Sequence, residues 1–176
     1  MHSFLLLLTL FGISLFGQIE SSYKRPDLRR NFYLAAENKE TCAALVAHLN
    51  KYQGPDPVVY GYKAATQGIM ADQAWNPYLK IKYVRTAAKL FEEIIRKNSQ
   101  QTEVRFLRYS LEYYIPRYLN MSGHLQEDQA IILRSLFNYP QSDLDPEIFG
   151  IVRKFLLKHP EELTAQERKQ IANIKA

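Results

Sequence analysis

Four residues close together in the sequence could form a ligand-binding strip: Arg105, Arg108, Tyr109 and Glu112. Their spacing of three and four places them along one strip of an α-helix. Two arginines can hold a carboxylate or phosphate by charge-assisted hydrogen bonds, and a tyrosine adds an amphipathic contact. On a helix lining a groove, this 105–112 strip would bind a peptide or ligand, and its glutamate could support a lyase- or hydrolase-like reaction.

The same strip also has a structural interpretation. Arg108 and Glu112 are four residues apart, the spacing of an intrahelical ion pair. Arginine stems can also cover apolar surface. The pattern favours this internal network over a ligand site. We nevertheless keep the strip as a candidate partner-binding surface, and we assign no catalytic residue. We do not predict an enzyme.

A second candidate surface lies on the predicted helix 77–98, where Tyr78, Lys82 and Arg85 fall away from the apolar stripe. Six of the twelve tyrosines lie between Tyr78 and Tyr118. Most tyrosines belong at the edge of a core, with the ring buried and the hydroxyl in water. An aromatic interaction groove near predicted helices 77–98 and 101–119 is the alternative.

Motifs for metal, nucleotide, redox and haem chemistry are absent from the sequence. The four histidines are far apart along the chain, so we predict neither a metal site nor a cofactor. The acidic run from Asp143 to Glu147 lacks the glycine and the final glutamate of a calcium loop. Helix capping by Asp145 and the helix dipole at Glu147 explain it better.

The first residues predict export. The stretch from Phe4 to Phe16 is almost wholly apolar and no charge precedes Glu20, which is typical of a signal peptide. We predict a signal at 1–18 and a single all-helical domain at 19–176 in a secreted or periplasmic protein. Because Met1-His2-Ser3 carries no Lys or Arg, a retained N-terminal anchor stays an alternative.

The charge and the cysteine count limit the partners and the compartment chemistry. The net charge of +5 favours acidic proteins or anionic membrane surfaces, whereas export argues against nucleic acid. Cys42 is the only cysteine, so no internal disulfide can form and packing must stabilise the fold. We expect Cys42 to be a small buried residue, with intermolecular pairing as the alternative.

The apolar residues recur at intervals of three and four positions, which predicts helices throughout the chain. Asp56-Pro57, Asn76-Pro77 and Asp145-Pro146 each place a capping acceptor before a proline and so predict three helix starts. Thr164 and Glu167 fit a capping box for a last helix. The predicted helices span 27–36, 39–52, 57–73, 77–98, 101–119, 125–138, 146–158 and 165–175.

The predicted helix 101–119 has apolar residues on two flanks, with Val104 and Leu107 on one side and Phe106 and Tyr109 towards the other. It should therefore lie in the middle of the architecture, and Pro116 should kink or end it. Short connections between helices predict an irregular α-solenoid or a helical bundle of antiparallel helix pairs.

Two resemblances follow from particular residues. Ala87, Phe91 and Ile94 have the spacing of the second helix of a tetratricopeptide unit, so the 57–98 pair resembles that repeat in part. The chain also resembles uncharacterised secreted helical proteins of Bacteroidetes-type bacteria, over about residues 57–140. That resemblance rests on Asn76-Pro77-Tyr78, Arg105-Phe106-Leu107-Arg108, Pro116 with Leu119, and Asp128.

The second resemblance implies export and a helical fold but no mechanism. The sequence therefore predicts an exported helical binding or scaffold module of the cell envelope that engages a protein or peptide. A peripheral membrane-surface protein is the first alternative, and an enzyme using an Arg/Tyr/Glu groove is the second.

Overall fold

The computed structural model describes residues 22–174, which contain eight α-helices and no strand. The predicted all-α fold is confirmed, while the predicted signal at 1–18 lies outside the described residues. The helices are α1 Arg25–Glu37, α2 Lys39–Leu49, α3 Pro57–Gln73, α4 Pro77–Lys97, α5 Thr102–Tyr114, α6 Leu125–Phe137, α7 Pro146–Lys158 and α8 Ala165–Asn173.

Helix starts follow the predicted capping chemistry. Asp56, Asn76 and Asp145 each accept a hydrogen bond from the backbone N–H two residues on, at 2.8 to 3.0 Å. Each therefore satisfies a donor that the first helical turn leaves unpaired. Thr164 and Glu167 form the predicted capping box at the start of α8.

The predicted helix 101–119 is too long, because α5 ends at Tyr114. Pro116 disfavours the helical conformation at Ile115, which is extended with ψ 128°. A single 3₁₀ turn, Arg117–Leu119, follows before the left-handed Asn120 at φ 51°. The proline thus ends α5, and an irregular connection of residues 115–124 follows the helix.

Helix α5 lies between two apolar cores, as its two-sided pattern predicted. Val104 and Leu107 pack into a first core with α1, α2, α3 and α4. Phe106 and Tyr109 pack into a second core with α6, α7 and α8. All side chains from Thr102 to Tyr109 are buried, so α5 is the central element of the described chain.

Helices α3 and α4 form an antiparallel hairpin joined by residues 74–76. In the second half of α4, Ala87, Phe91 and Ile94 are buried. The first half differs, because no side chain from Pro77 to Thr86 is buried.

Two further features of the fold concern its cysteine and the length of its helices. Cys42 is buried within the first core, as predicted, and its burial raises the pKa of its thiol. Among residues 22–174, no helix combines the length and the apolar character needed to cross a bilayer.

Candidate functional site

The two arginines of the 105–112 strip bind acidic side chains of the same chain. Arg108 Nε and Nη2 donate to the two oxygens of Asp128 on α6, both at 2.7 Å. Arg105 Nη1 donates to Asp128 Oδ1 at 2.8 Å and to Glu127 Oε1 at 2.6 Å. Both guanidinium groups are buried, so their hydrogen-bonding capacity serves the α5–α6 contact.

Glu112 also has an internal partner, but not the expected Arg108. Its carboxylate accepts the backbone N–H of His124 at 2.9 Å and lies 2.7 Å from His124 Nδ1. Its carbonyl oxygen accepts the Ser122 hydroxyl at 2.9 Å. Glu112 therefore fastens the end of the 115–124 connection back onto α5.

Tyr109 completes the strip and is buried in the second core. Burial, together with the nearby carboxylates of Glu162 and Glu161, raises the pKa of Tyr109 to about 12. The strip therefore does not line a groove, and the favoured interpretation as an internal network holds, with Asp128 in place of Glu112 as the partner of Arg108. The helical spacing predicts which residues of α5 share a face. It does not predict that Asp128 of α6 binds both arginines and that the face is therefore buried.

The second predicted surface is on the outside of the molecule. Tyr78, Lys82 and Arg85 are all exposed on the first half of α4. Lys89 continues the same row, because positions 78, 82, 85 and 89 follow the three- and four-residue spacing of one helical face. We call Lys82, Arg85 and Lys89 the basic stripe.

An apolar cleft of about 420 Å³ opens beside this stripe, between the α3–α4 hairpin and the 115–124 connection. Its volume is in the range of ligand-binding pockets. Polar groups at the cleft include Lys80, whose Nζ donates to the Asp72 carbonyl oxygen at 3.0 Å. The apolar side chains that line it include Ile81, Val84, Leu111, Ile115, Leu119 and Met121.

Sequence-specific features shape both walls of the cleft. A Cβ on Gly68 would lie 2.6 Å from Leu111 Cδ1, so the missing side chain lets α3 approach α5 at the floor. The opposite wall contains Ile115, Pro116 and Leu119, and it exists because α5 stops before the proline. Glu112 positions this wall by holding the far end of the connection.

Exposed aromatic residues occur at and next to the cleft. Tyr118 lines it and is 85% exposed, and Tyr114 lines it while hydrogen-bonded through its hydroxyl to His159 Nε2 at 3.1 Å. Trp75 is 86% exposed, two residues before the cleft-lining Pro77. Aromatic residues are enriched in protein interfaces, and two of these three side chains line the same cleft.

A buried ionic cluster around Arg29 of α1 was not predicted from the sequence. The guanidinium donates to both oxygens of Glu103 on α5 at 2.9 and 2.8 Å, and to both oxygens of Asp145 at 3.0 and 2.6 Å. Glu147 Oε2 accepts a further bond at 2.7 Å, and Tyr62 donates to Glu103 Oε1 at 2.9 Å. This Arg29 cluster ties α1 and α3 to α5 and to the start of α7.

The Arg29 cluster has the character of a structural site. Burial raises the pKa of Tyr62, and the charge of Glu103 raises it further, so the phenol stays protonated as a donor to Glu103. Asp145 caps α7 and binds Arg29 with the same carboxylate. Within residues 22–174, no group of three or more histidine, cysteine or acidic side chains is placed to hold a metal ion.

Comparison of the chain with protein-family models, with curated proteins and with solved structures finds no match.

Proposed function

We propose that this chain is an exported helical binding module of the cell envelope, which engages a protein partner through the apolar cleft. The export part rests on the apolar segment from Phe4 to Phe16. The binding part rests on one observation above all. The first ten residues of α4 contain Leu79, Ile81 and Val84, and the hairpin leaves each of these side chains only half-buried.

These side chains are half-buried, and covering their remaining exposed surface with a second molecule is stabilising, because apolar surface is removed from water. The cleft beside these side chains offers a concave site, and exposed aromatic side chains such as Tyr118 supply contact area with little conformational entropy to lose. The buried 105–112 strip does not support the alternative of an enzyme with an Arg/Tyr/Glu groove.

An anionic membrane surface is the second candidate partner. Trp75 and Tyr78 are exposed around the α3–α4 turn, and the basic stripe lies on the same helix as Tyr78. Tryptophan, tyrosine and cationic side chains are typical of protein surfaces that contact lipid headgroups. The concave apolar cleft favours a protein partner, since a flat headgroup layer cannot fill it.

Paired affinity captures from envelope extracts test the proposal. The cleft variant combines Ile81→Gln with Val84→Gln, which removes apolar surface but keeps good helix formers. The matched control combines Ile151→Gln with Leu157→Gln, two partly exposed apolar residues on α7. We expect the wild type and the control to recover the same protein, and the folded cleft variant to lose it. Equal recovery by all three folded proteins contradicts the proposal.

A further inference from the structure

Building on the proposed function, we infer that the segment recognised by the cleft is an acidic amphipathic helix of the partner protein. Its apolar side chains enter the cleft and its carboxylates face the basic stripe, Lys82, Arg85 and Lys89. Three observations support this inference: the position of the stripe, the absence of its residues from the ion pairs of residues 22–174, and its helical spacing.

The stripe runs along the edge of the cleft. Pro77, Ile81 and Val84 line the cleft, and Tyr78, Lys82 and Arg85 each follow one of them in sequence. Successive helical residues are turned by about 100° around the axis. One wall of the cleft therefore continues directly into the cationic face, and a molecule seated in the cleft has this face at its side.

The stripe lies on a cationic stretch of α4, and the acidic residues nearest to it on this helix, Glu92 and Glu93, come after Lys89. From Pro77 to Leu90, α4 carries four cations and no acidic residue. The ion pairs of residues 22–174 involve other groups, such as Arg29, Arg105 and Arg117, and none includes a stripe residue. Exposed, like-charged side chains beside an apolar groove are complementary to a partner with acidic residues at the edge of its apolar face.

The spacing of the stripe matches a helical partner. Lys82, Arg85 and Lys89 repeat at three and four residues over two helical turns, a length of about 10 Å. A helix lying along α4 can present acidic residues at the same spacing, as flanking charges do in coiled coils. Its apolar residues three and four apart then point together into the cleft, the usual geometry of helix-in-groove recognition.

Selection of peptides from a displayed library of random 14-residue sequences, using the purified protein, tests the inference. The stripe variant carries Lys82→Glu, Arg85→Glu and Lys89→Glu. The matched control carries Lys154→Glu, Arg168→Glu and Lys169→Glu, which changes the net charge equally at exposed cations of α7 and α8. Fluorescence anisotropy then measures the binding of the recovered peptides.

We expect the wild type and the control to enrich peptides with apolar residues at helical spacing and acidic residues beside them. The stripe variant should bind these peptides about tenfold more weakly, which corresponds to about 1.4 kcal/mol, and should enrich basic peptides instead. Failure to enrich peptides, enrichment of peptides with a two-residue apolar repeat, or the same peptides from wild type and stripe variant overturns the inference.

Two further comparisons separate this inference from the proposed function. If the recovered peptides lose binding to the cleft variant Ile81→Gln/Val84→Gln but show no charge preference, the cleft binds protein and only the acidic-helix inference fails. If that cleft variant binds the recovered peptides as tightly as the wild type does, the acidic-helix inference and the proposed function both fail. In a third outcome, the protein enriches no peptides and sediments with phosphatidylglycerol vesicles but not with phosphatidylcholine vesicles. That result contradicts the inference and the proposed function, and it favours a lipid surface as the partner.

Discussion

Arg108 of α5 and Asp128 of α6 form a two-point ion pair, with Nε–Oδ2 and Nη2–Oδ1 distances of 2.7 Å. Arg105 shares Asp128 Oδ1 at 2.8 Å, so one buried carboxylate holds two guanidinium groups. A charge without a counter-charge is costly in the interior of a protein. This relationship explains why two arginines on the central helix serve the fold.

Removal of the Asp128 charge should therefore destabilise the protein strongly. We expect Asp128→Asn to lower the free energy of unfolding by about 3–5 kcal/mol, because it leaves the Arg105 and Arg108 charges buried without full compensation. The matched control is Glu127→Gln, since the Glu127 side chain is 55% exposed and the Asp128 side chain fully buried. Urea unfolding should show a loss of about 0–1 kcal/mol for the control, and equal losses for both variants would contradict the assignment.

Acid should destabilise the fold through the Arg29 cluster. Burial acts to raise the pKa of Asp145, but hydrogen bonds from Arg29 and from the backbone N–H groups of Ile148 and Glu147 outweigh it, and the pKa lies below its ordinary value. A carboxylate with a lowered pKa stabilises the fold fully above its unfolded pKa of about 4, and this contribution disappears as the pH falls through the folded pKa.

The variant Asp145→Asn tests this pH dependence, since asparagine also caps helices but carries no charge. We expect its free energy of unfolding to be lower than that of the wild type at pH 7 and to change less between pH 5 and pH 3. The same slope in wild type and variant, measured by urea unfolding at each pH, would show that Asp145 does not contribute to acid sensitivity.

Local sequence signals predicted the positions of the helices well. A capping residue before a proline, as at Asp56 and Asp145, determines a helix start within two or three residues, so those starts were correct. The two apolar flanks of the 101–119 segment likewise placed the central helix correctly. Its end was wrong because the prediction allowed Pro116 to kink the helix, whereas the chain leaves the helix at Ile115.

The partners of buried charges were not predictable in the same way. Arg29 and Asp145 are 116 residues apart, and nothing local links them. One signal was present for the second network: Asp128 lies on the apolar face of α6 together with Leu125 and Ile132, where an acidic residue requires a buried partner. The cleft was not predictable from sequence because three separated segments form it.

Helix α5 should depend on a cap supplied from another part of the chain. Gln101 precedes the helix without a side-chain cap, and Asp143 instead accepts the Thr102 N–H at 2.8 Å and the Thr102 hydroxyl at 2.5 Å. We expect Asp143→Ala to lower the free energy of unfolding by about 1–2 kcal/mol. Asp143→Asn keeps an acceptor and should lose less in thermal unfolding, whereas an equal loss would contradict the capping role.

The Cys42 thiol should be unreactive in the native protein. It is buried in the first core, and burial raises the pKa of the thiol, so little of the nucleophilic thiolate forms at neutral pH. We expect its reaction with a disulfide reagent at pH 7 to be at least about a hundredfold slower in buffer than in 8 M urea, because reaction requires local opening. Similar rates in both solutions would contradict this placement.

Photo-crosslinking in the producing cell tests the central claim most directly. A p-benzoylphenylalanine in place of Tyr118 puts the crosslinker at the cleft, and the same group in place of Tyr33 on α1 is the exposed control. We predict that Tyr118→p-benzoylphenylalanine gives a discrete protein adduct that Tyr33→p-benzoylphenylalanine does not give, and that Ile81→Gln/Val84→Gln abolishes it. No protein adduct from position 118, or the same adduct from both positions, would contradict a protein-binding cleft.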